Sequence, residues 1–340
     1  MTKINFVYAG KRGSNLECAI ALYTLAKQMG LDAGLILSKD NERAELVKSL
    51  YPEAEFYNFF SLSEMLKLKK TLEEGISFFT MISVKMIPLF YFLNSPKIFY
   101  YHATYDYSFS KKQWKDYITD AMQDMIIKNS TLTVATQWPL AWQIRNRLGV
   151  EAEAMQHPSY ASINPKMFEE DTEMSLPEKY TLAFGGLDRF SKGTEVLIEA
   201  QEGSNKILIL AGKSYKDFNS NANNIVHINH WVSDGELHHL IKNCEAVVLP
   251  YLVPSQFSGC LALAYHFGIP VVAPSSSAFN GIVTEGCGWK FPCGDPEGLR
   301  FSLDMAMGIH MGMEIPIHER ELKIDDKCKE DLKKVLEKVK

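Results

Sequence analysis

The stretch LPYLVPSQFSGCLALAYHFGIPVVAP, residues 249–274, decides the fold. Just before it, residues 245–249 (EAVVL) form a short apolar, β-branched run of the kind that makes a buried strand, and Pro250 stops it. A loop carrying Pro254, Ser255 and the Ser258-Gly259 pair leads into an apolar run from Cys260 to Phe267 whose spacing suits a helix. Gly268 ends that helix and Pro270 opens the next strand, residues 271–273. The order is strand, loop, helix, strand, with small residues delivered to a helix N-terminus. Unpaired amides at such an end, with the helix dipole behind them, make a ready anion site. A plain crossover in which Ser-Gly only turns the chain fits the same residues.

Outward from this unit the same alternation fills the chain. Strands are expected at 4–8, 33–37, 56–60, 76–80, 97–102 and 131–136, and helices at 15–29, 42–50, 62–72, 111–128 and 139–148. From 157 to 179 the pattern lapses into HPSYASINPKMFEEDTEMSLPEK, which reads as an interdomain linker. It then restarts, with strands at 180–184, 207–211 and 225–228 and helices at 194–200 and 234–242. The expected fold is therefore α/β with two Rossmann-like domains facing a central cleft, ligands lying at the carboxyl ends of the strands. The expected division is 1–160 for the first domain, 161–179 for the linker, 180–318 for the second domain and 319–340 for a C-terminal helix. In that helix Leu332, Val335, Leu336 and Val339 form one apolar stripe. It either crosses back to the N-terminal domain, the preferred reading, or lies on a membrane or partner.

Composition sets outer limits. The 340 residues are 46% hydrophobic and 23% charged with a net charge of −5, which is ordinary globular protein and argues against nucleic-acid binding. Up to residue 160 there are 18 basic and 16 acidic residues, and the remainder of the 36 and 41 leaves 18 against 25. A mildly basic first half facing an acidic second half would suit an anionic acceptor or lipid headgroups, though surface solvation accounts for so small a difference equally well. The six cysteines, at 18, 244, 260, 287, 293 and 328, show no paired spacing, so neither structural zinc nor a disulfide framework is expected. The opening MTKINFVYAG runs directly into a strand with no signal peptide, and the expected compartment is the cytoplasm. Residues 76–93 approach membrane-span length, but Lys85 and Pro88 interrupt them and a strand followed by a helix explains them better.

With these residues laid out, the segments LAFGGLDRFSKGTEVLIEA, ILILAGKS, HINHWVSDGELHHLIKNCEAVVLP, SGCLALAYHFGIPVVAP and GCGWKFPCGDPEGL, in that order, resemble the C-terminal domain of the retaining glycosyltransferases of family four, of GT-B fold. The likeness covers about 130 consecutive residues, far more than one motif. The N-terminal half is similar more loosely, through GKRGSNLECAIALYTLAKQMG and IFYYHAT. The resemblance implies transfer of a sugar from a nucleotide-diphospho-sugar to a carbohydrate, lipid-linked or other hydroxyl acceptor. It implies no metal and no cofactor, and peripheral membrane contact is compatible with it. The leaving diphosphate gains charge as the glycosidic bond breaks, so preorganised cations and N–H donors aimed at it are the main catalytic lever.

Carried over by position, Lys192 in the SKG turn matches the family's diphosphate lysine, and Ser258, Gly259 and Cys260 match the amides at the distal phosphate. The family's arginine has no counterpart, since Gly186 or Leu187 stands there, and Arg189 lies farther on in a turn one residue longer. Trp231, Val232 and Ser233 match the stretch along the nucleotide base. The family's two glutamates fall on Ser255 and Leu263, and a leucine accepts no hydrogen bond. Gln256 fits a variant with glutamine before a Ser-Gly loop, and Asn280 replaces a further glutamate. Near the first strand, Gly10 and Gly13 bracket Lys11 and Arg12, as a phosphate or acceptor loop or as a plain βα turn. His102 ends a strand where the family often has a donor or acceptor histidine, and His157 reads as structural. The aromatic run from Phe78 to Tyr101 reads mostly as core. The missing acids keep a second reading open, a catalytically silent subunit binding a partner or glycan. An epimerase of similar fold is weaker, because the acids it needs have no place here.

Overall fold

The computed structural model describes residues 2–11, 15–102, 114–169, 172, 174–216, 218, 223–253, 258–276, 279–284, 286–309 and 317–339. Contacts divide these into two units: residues 2–102, 114–167 and 323–339 in unit 1, and the described residues from 168 to 322 in unit 2.

Unit 1 alternates strand and helix in the order β1 (Lys3–Tyr8), α1 (Asn15–Gln28), β2 (Ala33–Ser38), α2 (Ala44–Leu50), β3 (Glu55–Tyr57), α3 (Leu62–Glu73) and β4 (Gly75–Met81). It continues with α4 (Ile87–Phe92), β5 (Lys97–Tyr101), α5 (Trp114–Asn129), β6 (Leu132–Ala135), α6 (Trp138–Leu148) and β7 (Ala152–Ala154). All pairings are parallel, in the order β3-β2-β1-β4-β5-β6-β7. Both faces of such a sheet must be covered, which is why its central strands are apolar throughout. On one face Phe79, Leu68, Leu72, Phe90, Ile127, Leu140 and Ile144 form a single cluster. On the other, Phe6 lies 5.3 Å from Phe78, and Phe78 lies 5.8 Å from Tyr100. The aromatic run is thus core on both faces, each buried Phe contributing about 2 kcal/mol. Phe92, 71% exposed, stands outside it.

Three details differ from the sequence pattern. β3 ends at Tyr57 because the amide of Asn58 turns to Glu64 Oε2 at 2.6 Å and that of Phe60 to Asn58 Oδ1 at 2.8 Å, leaving the ladder. β7 carries no apolar run and is visible only in its pairing with β6. The first part of the expected linker is packed: Tyr160, Ile163 and Met167 are buried, and the amide of Asn164 donates to the Tyr51 hydroxyl at 2.9 Å. Within unit 1, Leu332, Val335, Leu336 and Val339 are buried. Asp325 accepts from the Ser159 amide at 2.8 Å, and Asp331 from that of Gln156 at 3.1 Å.

Unit 2 runs β8 (Tyr180–Phe184), α7 (Thr194–Gln201), β9 (Ile207–Ala211), β10 (Ile225–Ile228), α8 (Asp234–Lys242), β11 (Ala246–Val248), α9 (Gly259–His266), β12 (Val271–Pro274), β13 (Gly288–Phe291) and α10 (Pro296–Ile309). Residues of α11 (Ile317–Lys338) belong to both units. The sheet is parallel, in the order β10-β9-β8-β11-β12-β13. Leu197 and Ala200 of α7 and Leu299, Leu303 and Ala306 of α10 pack with Leu208, Leu210, Val248, Val272 and Phe291. Residues 76–93 resolve into β4 and α4, and among the described residues no helix is long and apolar enough to cross a membrane.

Candidate functional site

The strand order of unit 2 reverses between β8 and β11, so the chains leaving these two strands run in opposite directions across the same sheet edge. A crevice at such a switch point is where open parallel sheets bind ligands. The turn after β8, GGLDRFSKG, and the loop after β11 meet there.

The turn is built by glycines. Gly185, Gly186 and Gly193 take φ of 78, 69 and 66°, a region that L side chains avoid. Between them Arg189 opens a 3-10 turn, Phe190–Lys192, which accommodates the extra residue of this loop. A Cβ on Gly193 would lie 1.9 Å from the Pro250 carbonyl oxygen, so the lysine turn and the end of β11 touch backbone to backbone. The Leu252 amide donates to the Ser191 carbonyl at 3.0 Å and fastens the same contact. Gly186 is one of the two residues, with Leu187, that stand where the resemblance places an arginine. A Cβ on Gly186 would meet Arg189 Cδ at 3.5 Å, Arg189 Nε at 3.6 Å and Lys192 Cε at 3.8 Å, so both cations fold over this glycine.

Neither cation has a carboxylate partner among the described residues. The one acid of the turn, Asp188, faces the loop after β9. There it accepts from the Ser214 hydroxyl, the Tyr215 amide at 3.0 Å and the Lys216 amide at 3.3 Å. These bonds outweigh burial and hold the Asp188 carboxyl below its ordinary range. Burial lowers the pKa of Lys192; Cys260 opposes this and Arg189 adds to it. A half-buried lysine and an exposed arginine held close together, without a carboxylate partner among the described residues, are a site prepared for an anion.

The Lys192 ammonium sits 3.8 Å above the ring of Tyr251. Tyr251 is fully buried, and its hydroxyl lies 2.6 Å from Ser258 Oγ. Ser258 caps α9, accepting the Cys260 amide at 3.2 Å. The cap therefore already uses the Cys260 amide, and the Leu261 amide donates to the Ser258 carbonyl at 3.0 Å. Tyr251 has no role in the sequence pattern, where it falls in the loop that follows Pro250. Its position next to Pro250 at a strand terminus is the signal that marks it. Tyr251→Phe keeps the ring beneath the ammonium and removes the hydroxyl, and is expected to lower stability by about 1 kcal/mol in urea unfolding.

Only protonated Lys192 attracts an anion, and its pKa is depressed. Affinity for a diphosphate is thus expected to be full at neutral pH and to fall as pH rises, at lower pH than for an ordinary lysine. Calorimetric titration across the alkaline range, with Lys192→Ala as the flat reference, checks this.

The remaining candidates lie elsewhere. Trp231, Val232 and Ser233 follow β10, two strands from β8 on the same edge. Ser233 caps α8 in a reciprocal box with Glu236, which fixes this stretch, and Trp231 is 65% exposed. Leu263 lies on α9, 9% exposed, and Asn280 is exposed. Gly10 and His102 belong to unit 1. A Cβ on Gly10 would meet the Tyr8 hydroxyl at 2.3 Å and Met81 Sδ at 2.7 Å, so Gly10 fits closely against the ends of β1 and β4. His102 follows β5, its ring 4.4 Å from that of Tyr100, and burial and neighbouring His157 push its pKa well below the ordinary imidazole value. Gly13 and Gln256, with Arg12 and Ser255, lie outside the described residues.

Residues 178–304 match the family model of the glycosyl transferases group 1. No curated protein matches the sequence. Among solved structures the chain is similar to Anabaena HepE in complex with UDP and glucose, at 15% identity and TM-score 0.64, with 99% of this chain and 100% of that one covered. It is similar to the sucrose-phosphate synthase of Thermosynechococcus elongatus at 13% identity and TM-score 0.66, covering 100% and 99%. TarM gives 9% identity and TM-score 0.63, covering 100% and 99%. The fold is that of the GT-B glycosyltransferases.

Proposed function

We propose that this chain, whose residues 178–304 carry the group 1 glycosyl transferase domain, transfers a sugar from a nucleoside-diphosphate sugar to a hydroxyl acceptor with retention at the anomeric carbon. The observation that carries the reading is the pair of cations, Arg189 and Lys192, without carboxylate partners at the switch point of unit 2. The diphosphate would lie over Gly186 between these cations and the start of α9, where the helix dipole adds to them. As the bond from the anomeric carbon to the phosphate oxygen breaks, its electron pair stays on that oxygen and the cations stabilise the charge. The acceptor oxygen bonds to the anomeric carbon on the same face, and its proton passes to the departing phosphate. This arrangement asks nothing of a metal, since Arg189 and Lys192 supply the positive charge. UDP-bound relatives of the same fold support a nucleotide ligand. The base and acceptor stay general in this reading.

Leu263 favours a second reading. An aliphatic side chain cannot hold ribose hydroxyls, so a catalytically silent subunit that binds a partner or glycan fits as well. Incubation with a panel of nucleotide-sugars, followed by release of nucleoside diphosphate and the anomeric configuration of the product by NMR, separates the two. Diphosphate release with an α-linked product from an α-linked donor is expected for the transferase. Inversion would contradict retention, and no release from any donor, together with no measurable diphosphate binding, would leave the silent reading.

A further inference from the structure

Unit 1 contains a second group of chemically active side chains, away in sequence from Arg189 and Lys192. Cys18 lies in the first turns of α1, His102 follows β5 and His157 follows β7. One ligand atom from each lies within 4.8 Å of the other two. Both sheet residues sit at carboxyl ends of parallel strands, and α1 brings the thiol to them.

Several features set this group apart from ordinary packing. Cys18 and His157 are buried, at 0% and 3% exposure. Among the described residues His102 Nε2 is buried with no hydrogen-bond partner, a state that is costly for a polar atom unless something else binds it. His157 Nδ1 lies 2.7 Å from the Pro158 carbonyl oxygen, so that nitrogen carries the proton and Nε2 keeps its lone pair. A carbonyl fixing the tautomer from behind is the usual second support of a metal-binding histidine. The two rings stand nearly perpendicular, at 73° with centroids 5.7 Å apart, so the imidazoles are direct neighbours.

We infer that Cys18, His102 and His157 form a site for a thiophilic transition-metal ion, with Zn²⁺ as the ion of reference. Two imidazole nitrogens and one thiolate are a donor set that suits zinc. At bond lengths of about 2.0–2.3 Å, ligand atoms in a tetrahedral site lie about 3.5 Å apart, so the observed group closes by roughly 1 Å, within reach of side-chain rotation. Binding replaces the S–H bond of Cys18 by a metal–sulfur bond, and the proton leaves to solvent. The ion would tie α1 to the ends of β5 and β7, joining segments that are 139 residues apart between Cys18 and His157. This inference does not rest on the sugar-transfer reading, although it gives His102 a different role from the donor or acceptor contact that the resemblance implies.

The test uses the full chain, stripped of metal under reducing conditions and titrated with Zn²⁺ against a chromophoric chelator, then with Co²⁺. One ion should bind per chain with release of about one proton at neutral pH, and Co²⁺ should give a thiolate charge-transfer band. Cys18→Ser and His102→Gln should each weaken binding by about 100-fold or more, whereas Cys328→Ser, a neighbouring buried thiol outside the set, should not. Absence of the cobalt–thiolate band in the wild-type chain overturns the site, whatever the variants do. So does Zn²⁺ affinity unchanged in both ligand variants when their circular dichroism is native.

Discussion

Lys192→Ala is expected to lower turnover with a nucleotide-sugar by about 10²–10³-fold while leaving the fold intact. Its ammonium is held out of water over the Tyr251 ring with no described carboxylate partner, so only an arriving anion repays its desolvation. Removing it forfeits about 1 kcal/mol of cation–π attraction and also abolishes the desolvation cost of a buried charge. The melting temperature should therefore stay within a few degrees of the wild type while diphosphate affinity collapses. Steady-state kinetics together with a thermal melt decide the matter. Undiminished turnover would remove Lys192 from the leaving-group site.

The second large effect falls on Gly193. Its φ of 66° alone costs an alanine about 1–2 kcal/mol, and the added Cβ would also sit 1.9 Å from a backbone carbonyl that cannot swing aside. Gly193→Ala is expected to destabilise the protein by about 3 kcal/mol or more. Gly203 is the control: it has φ of 73° with nothing within 4 Å, and its alanine variant should lose only about 1 kcal/mol. The gap between the two urea midpoints measures the close approach of the lysine turn to β11. Equal losses would show that the turn yields. Because Gly193 follows Lys192 directly, its alanine variant should also weaken diphosphate binding.

Much of this was legible in the residues. Apolar β-branched runs separated by Gly- and Pro-bounded helices predict two parallel sheets, and residues 249–274 predict the strand, loop and helix at which β11 hands over to α9. Lys192 was readable through the resemblance, whose lysine-glycine pair it matches, since by itself a lysine before a helix reads as solvated surface. Arg189 was harder, because its relation to Gly186 depends on a 3-10 turn that absorbs one residue. Tyr251 was hidden in the loop after Pro250, since no local pattern tells a loop tyrosine from a ring placed under a cation. The bonds of Asp188 to the loop after β9 and the meeting of Cys18 with His102 and His157 are tertiary, and no local spacing encodes them. The absence of paired cysteine spacing argued against zinc only for sites whose ligands are close in sequence.

The central claim is that unit 2 holds a nucleoside diphosphate through Arg189 and Lys192 beside α9. The most direct measurement is calorimetric binding of uridine, guanosine and adenosine diphosphates, each beside its monophosphate. The account predicts that at least one diphosphate binds and does so tenfold or more tightly than its monophosphate, a difference of about 1.4 kcal/mol carried by the second phosphate. That advantage should vanish in Lys192→Ala. No binding of any diphosphate, or equal affinity for diphosphate and monophosphate in the wild-type chain, would contradict it.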